Sequence, residues 1–313
     1  MGGLSSRHLL EIEALNSRDI DTIITTAQSF KEVNERVIKK LPTLRGRTVV
    51  NLFLEPSTRT RTSFELAAKR LSADAINMSG SALATVKGES LVDTAKTLDA
   101  MDCDLVVLRH AYAGSPHILA RTMRARVINA GDGKHQHPTQ TLLDLFTMRQ
   151  HFGRIEGLNV GIVGDVAHSR VAGSLLPALA IMGASATVIA PPTLLPARPD
   201  VLGAHVCTDL DSILPELDVV YMLRVQQERL GRSPFPSLRE YAQLFGINSQ
   251  RLATLKDEAI IMHPGPVNRG VELSSAAVDT AKNLLLYQVS AGVAVRMALM
   301  YLLLGGEEDG FAA

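Results

Sequence analysis

Short runs rich in valine, isoleucine and leucine recur along this chain, and the stretches between them carry the apolar spacing of helices. A first series has strand-like runs at 48–54, 73–78, 105–108 and 126–129, with helical patterns at 60–71, 89–101, 115–123 and 138–151. After the polar, glycine-bounded connection Gly153-Arg154-Ile155-Glu156-Gly157 a second series begins. Its strands are expected at 159–163, 186–189, 204–207, 219–222 and 259–262, with helices near 168–182, 208–215, 236–245 and 249–255. Apolar strands alternating with helices require right-handed crossovers, and these build a mostly parallel sheet covered on both faces. The expected fold class is therefore α/β, with two doubly wound parallel-sheet domains joined by long helices. The first domain is placed at 1–150 and the second at 151–284. A helical stretch at about 273–304 follows, and the part from about 285 to 313 returns to the first domain. Residues 7–40 also read as helical, starting near Ser17, with Ile20, Ile23, Ile24, Ala27 and Phe30 on one face.

A chain of 313 residues is long enough for two cores. Lys plus Arg and Asp plus Glu each total 32, so no global field attracts nucleic acid or an acidic membrane, and any anion binding must be local. Cys103 and Cys207 lie in apolar, strand-like surroundings without metal-ligand spacing, which fits buried free thiols in a cytoplasmic protein. Residues 1–8 lack the apolar core of a signal peptide. The apolar run 289–304 is interrupted by Arg296 and falls short of about 20 apolar residues, so a packed helix is expected rather than a membrane span.

In an open parallel sheet, ligands gather at the carboxyl ends of the strands. Here nearly every such end carries polar groups. Glu55-Pro56-Ser57-Thr58-Arg59-Thr60-Arg61 follows the first strand and opens a helix, where free N–H groups and the positive dipole end favour an anion. Three hydroxyls and two guanidinium groups add donors in the same place, so a phosphate is the natural occupant. Arg109-His110 follows 105–108, and the segment Gly131 to Gln140, containing Asp132, His135 and His137, follows 126–129. Gly164-Asp165 with Arg170 follows 159–163, Arg224-Val225-Gln226 follows 219–222, and His263-Pro264-Gly265-Pro266 follows 259–262.

One polar strand end is ordinary, and Arg109, Arg170 or Arg224 alone reads as a solvated ion-pair residue. Together with Arg59 they exceed what one phosphate needs, which suggests a second, carboxylate-bearing substrate held by arginine forks. His135, His137 and Asp132 lack the spacing of a metal site. Gly161-Ile162-Val163-Gly164 lacks the glycine spacing of a dinucleotide turn. No metal and no cofactor is expected. Lys87 falls in the segment 86–90, after an irregular stretch at 79–85 and before the next helix, and by default is a solvated loop lysine.

The segments Pro56–Arg61, Lys87-Gly88-Glu89-Ser90, Arg109-His110, His137-Pro138-Thr139-Gln140, Gly164-Asp165 with Arg170, Arg224-Val225-Gln226 and His263–Pro266 resemble, in order and spacing, the aspartate/ornithine carbamoyltransferase family, over about residues 7–304. Arg224-Val225-Gln226 and His263–Pro266 are similar to the aspartate branch. The resemblance implies transfer of the carbamoyl group of carbamoyl phosphate to L-aspartate, a step of pyrimidine biosynthesis. By that resemblance Ser57, Thr58, Arg59 and Thr60 bind carbamoyl phosphate. Arg109, His137 and Gln140 complete the site, and Gly265 and Pro266 add backbone groups. Arg170, Arg224 and Gln226 hold the carboxylates of L-aspartate, and Lys87 reaches in from a neighbouring chain of a homotrimer. Arg59, Thr60, Lys87, Arg109 and His137 are the expected catalytic group. Partners implied by the family include a regulatory chain or dihydroorotase. Leu83 stands where the family pattern has a serine, with Ser81 and Thr85 close by. A carbamoyltransferase for another acceptor, or a non-catalytic phosphate-ligand-binding protein that retains the fold, are the alternatives.

Overall fold

The computed structural model describes residues 4–79, 89–225 and 237–305. The chain divides into two units, one made of residues 1–146 with 290–313 and the other of residues 147–289.

The first unit begins with helix α1, Ser17–Glu35. Asn16 caps it: its side chain accepts the Asp19 N–H at 3.0 Å, and the Asp19 carboxylate accepts the Asn16 N–H at 3.2 Å. This reciprocal box satisfies two donors that the helix itself cannot. Ile20, Ile23, Ile24, Ala27 and Phe30 are all buried, as their spacing requires. Residues 7–40 are not helical throughout, however. Leu9 pairs with the sheet instead, its N–H donating to Val127 O at 2.9 Å, and the helix ends at Glu35.

The strands are β1 (Thr48–Phe53), β2 (Asp74–Ser79), β3 (Leu105–His110) and β4 (Arg126–Asp132). The helices between and after them are α2 (Thr58–Arg70), α3 (Leu91–Ala100), α4 (Ser115–Thr122) and α5 (Pro138–Phe152). Among the described residues the strands pair in parallel in the order β2-β1-β3-β4. The chain steps outward from β1 to β2 and then returns past β1 to β3, so the winding reverses between β1 and β3. One core layer packs Val50, Leu52, Val106, Leu108 and Val127 with Ala95, Leu98 and Leu119 of α3 and α4. Each valine or leucine side chain among them contributes about 1.5–3 kcal/mol when fully buried.

In the second unit the strands are β5 (Asn159–Val163), β6 (Ser185–Ile189), β7 (His205–Cys207), β8 (Val219–Met222) and β9 (Ile260–Met262). They too are parallel, in the order β7-β6-β5-β8-β9, so the winding reverses between β5 and β8. The helices are α6 (Arg170–Ile181), α7 (Leu210–Ile213), α8 (Leu238–Phe245), α9 (Ser249–Thr254) and α10 (Ser275–Val278), and α11 (Leu285–Leu304) passes into the first unit at Ser290. The helix expected at 208–215 is cut to α7 and a 3-10 turn, Leu214–Glu216, because Pro215 cannot donate within a helix. A Cβ on Gly161 would overlap the Leu217 side chain, so that glycine serves packing beneath the sheet rather than a nucleotide turn.

Two further expectations are corrected. The stretch 273–304 is not one helix: residues 279–284 lie between α10 and α11. There Ile261 N–H donates to Lys282 O at 2.8 Å and Leu284 N–H to Ile261 O at 3.0 Å. Pairing with β9 outcompetes the helical spacing. Of the two free cysteines, only Cys103 is buried, and burial pushes its thiol up to about 11. Cys207 is half-buried, since β7 is an edge strand with two exposed residues.

The chain crosses between units twice, within α5 and within α11. By length and composition α11 could span a bilayer, but 67% of its most apolar stretch is buried inside the protein. A core helix of this kind is apolar all round.

Candidate active site

In a doubly wound sheet the winding reversal opens a crevice at the strand ends. In the first unit that position falls between the ends of β1 and β3, where Glu55–Arg61 and Arg109 lie. Ser57 occupies the N-cap of α2 in extended conformation, and its hydroxyl makes no capping hydrogen bond. Thr58 and Arg59 are exposed at the first turn and Thr60 is buried, at 9% exposure. No acidic side chain stands in that turn to compete for the N–H groups of the helix start.

Arg109 is brought to the same place by the ladder. Its carbonyl accepts the N–H groups of Leu54 (2.9 Å) and Glu55 (3.3 Å), and Nη2 pairs with Glu55 Oε1 at 2.9 Å. Nη1 donates to Ala130 O at 3.3 Å, which ties the same side chain to β4. Arg109 and His110 therefore lie within β3 rather than beyond it, and β4 likewise extends to Asp132. A register shift between Leu108 and His110 lets the strands carry polar groups at their ends. His110 is used locally: its Nδ1 accepts the Tyr112 N–H at 2.9 Å, and burial holds the imidazole below its ordinary range.

His137 is buried at the start of α5, and its carbonyl accepts the N–H groups of Gln140 (3.0 Å) and Thr141 (3.3 Å). Asp132 and His135 form a turn instead of a metal site. The fully buried Asp132 carboxylate accepts from Gly114 N–H (2.8 Å), Asn129 Nδ2 (2.8 Å) and Gln136 N–H (3.2 Å), and lies 3.1 Å from His135 Nδ1. That knot fixes the approach to His137.

Three residues that sequence reasoning did not assign support this end of the unit. Glu55 orients Arg109. Asp144, fully buried, accepts Gln140 Nε2 at 3.0 Å, so the Gln140 carbonyl oxygen faces away from it as an acceptor. Arg296 of α11 is 4% exposed; its Nη1 donates to Ser63 Oγ at 2.8 Å and its guanidinium lies 4.9 Å from the Phe64 ring centre. Burial pushes its pKa down to about 10, with Asp144 pulling it up and Arg109 adding to the depression. The signals were present: Gln140 and Asp144 stand four apart on one helix face, and Arg296 interrupts an otherwise apolar helix.

In the second unit the reversal lies between β5 and β8. Gly164, at φ +123°, ends β5, and a Cβ there would stand 2.8 Å from Tyr241 Oη. Asp165 is buried and accepts the His168 N–H at 3.2 Å. Arg170 is the first residue of α6, capped by Ser169, and is only 5% exposed. A guanidinium carried at the first turn of α6, just past the end of β5, can fork to a carboxylate. Arg224 leaves the end of β8 one residue beyond Leu223, whose N–H donates to Val163 O at 2.8 Å. His263 is fully buried: its N–H donates to Gln288 Oε1 at 3.0 Å and its Nδ1 accepts the Gly265 N–H at 2.7 Å, which shapes the Gly265-Pro266 turn. Lys87 and Gln226, with Ser81, Leu83 and Thr85, lie outside the described residues.

Residues 7–150 match the family model for the carbamoyl-P binding domain of aspartate/ornithine carbamoyltransferase, and residues 156–303 match that for the Asp/Orn binding domain. The chain belongs to the aspartate/ornithine carbamoyltransferase family. Within that family, it is 55% identical over 302 residues to the aspartate carbamoyltransferase catalytic subunit of Syntrophotalea carbinolica, covering 96% of each chain. It is 56% identical over 304 residues to that of Frankia casuarinae, covering 97% of this chain and 96% of the other. Among solved structures, aspartate transcarbamoylase from Trypanosoma cruzi in complex with carbamoyl phosphate and aspartate superposes with a TM-score of 0.85 at 30% identity, covering 95% of this chain and 97% of that one. Ornithine carbamoyltransferase from Pyrococcus furiosus gives a TM-score of 0.87 at 27% identity, covering 98% and 100%. The two carbamoyltransferase branches share this fold equally well, so fold alone does not choose the acceptor.

Proposed function

We propose that this chain transfers the carbamoyl group of carbamoyl phosphate to the amine of L-aspartate, giving N-carbamoyl-L-aspartate and phosphate, as a step of pyrimidine biosynthesis. The observation that carries the reading is the placing of arginine at both winding reversals: Arg59 and Arg109 in the first unit, Arg170 and Arg224 in the second. Two guanidinium groups suit an acceptor with two carboxylates and oppose the cationic side chain of ornithine. Relatives more than 50% identical over nearly the whole chain bear the name of the aspartate enzyme, which supports the same acceptor.

The amine nitrogen attacks the carbonyl carbon, the bond from that carbon to the phosphate oxygen breaks, and phosphate leaves. Ser57, Thr58 and Arg59, with the N–H groups of the α2 start, take the phosphate. Thr60, Arg109 and His137 donate to the carbonyl oxygen as it gains charge, which is where fixed donors accelerate the reaction most. Gln140, its amide turned by Asp144, offers an oxygen to the carbamoyl NH₂. The departing phosphate takes the amine proton, so no carboxylate base is required. Holding the acceptor amine against the carbonyl contributes through proximity. The free thiols Cys103 and Cys207 suit a reducing cytoplasm.

The test is product formation: carbamoyl phosphate and L-aspartate should yield phosphate and N-carbamoyl-L-aspartate in equal amounts, and no product at saturating substrates overturns the reading. The active assembly is a homotrimer in which Lys87 serves a neighbouring chain's site. Mixing inactive Arg59→Ala chains with inactive Lys87→Ala chains should then restore part of the activity, because some sites receive both intact residues. Mixtures that stay inactive while forming mixed trimers would contradict shared sites.

A further inference from the structure

The second unit holds a buried carboxylate that the chemistry above does not use. Glu272 is fully buried, and burial pushes its carboxyl above the usual range although N–H donors pull the other way. Its Oε1 accepts the Val225 N–H at 2.8 Å and Asn268 Nδ2 at 2.8 Å, and its Oε2 accepts the Asn268 N–H at 2.7 Å. Asn268 Nδ2 also donates to the Val225 carbonyl at 3.1 Å. Both backbone polar groups of Val225 are thus held by side chains from one segment, and the Val225 side chain is itself buried.

Val225 is the residue after Arg224. On the other side of Arg224, Leu223 is fixed to β5 through its N–H to Val163 O. The arginine is therefore launched from a backbone pinned immediately before and immediately after it, although it stands beyond the last residue of β8. The segment that supplies the clamp begins two residues after Pro266, so the same carboxylate sets Arg224 in register with the Gly265-Pro266 turn. A buried carboxylate is costly unless its hydrogen bonds are met. Here three donors meet them, and the backbone they fix is that of an arginine assigned to the acceptor.

We infer that Glu272 and Asn268 are positioning residues for acceptor binding: together they hold the Val225 backbone so that the Arg224 guanidinium meets an acceptor carboxylate. The inference rests on the aspartate-acceptor reading and assigns to this pair the geometry of that subsite.

Glu272→Gln keeps the size of the side chain but turns one acceptor into a donor facing the N–H groups of Asn268. The expected result is a rise of about tenfold or more in the KM for aspartate, with the KM for carbamoyl phosphate within about twofold of wild type, since a small displacement of a charged donor weakens its bond steeply. Asn268→Ala, which removes the Nδ2 donor but keeps the backbone N–H and the carboxylate in place, should shift the aspartate KM in the same direction by less. It serves as the measurement if Glu272→Gln fails to fold. A purely structural role would lower the active fraction, and so kcat, at unchanged aspartate KM; that result overturns the inference. Wild-type protein inactive on aspartate would instead refute the acceptor reading, so the two failures are distinguishable.

Discussion

Replacing Arg59 with alanine lowers turnover by about two to three orders of magnitude and leaves the fold intact. The size follows from what a positioned charged donor supplies to developing charge, about 2.7–4 kcal/mol. The fold survives because Arg59 is exposed in the first turn of α2. A cation there opposes the helix dipole, and alanine is the better helix former, so stability should change by no more than about 0.5 kcal/mol. Steady-state kinetics at saturating substrates, read beside a thermal melt, check both halves. Turnover within about tenfold of wild type would mean that the α2 start is not the phosphate cradle.

The second large effect is expected at Arg170. Arg170 is buried at the first position of α6, and its guanidinium presents a planar fork to an incoming carboxylate. A charge-assisted pair is worth about 1.5–3 kcal/mol per hydrogen bond. Arg170→Ala should therefore raise the aspartate KM by about a hundredfold, while saturation by carbamoyl phosphate, assigned to the other unit, stays close to wild type. An unchanged aspartate KM would show that the acceptor binds elsewhere.

The alternation of apolar strands and helices made both parallel sheets legible, because a strand buried on both faces can be little else than a β-branched run. Strand order was not legible. Knowing that Arg59, Arg109, Arg170 and Arg224 stand at strand ends does not reveal that these are the particular strands between which the winding reverses; pairing of β1 with β3 and of β5 with β8 does. Errors fell where tertiary pairing overrode local spacing: residues 282–284 give their backbone to β9, and Leu9 gives its own to β4. The supporting residues were hidden for a related reason. No role attaches to residues 268–272 from the sequence alone, and only the folded unit shows that Glu272 is fully buried around the Val225 N–H. Arg296 argued only against a membrane span until its guanidinium was found against Ser63 and Phe64.

The central claim is the choice of acceptor, and a competition measures it most directly. Carbamoyl phosphate is supplied with L-aspartate and L-ornithine together, each at saturating concentration, and the products are separated by mass. N-carbamoyl-L-aspartate as the dominant product, with citrulline at the level of an enzyme-free control, is the predicted result. Citrulline as the main product, or neither compound above control, would contradict the account.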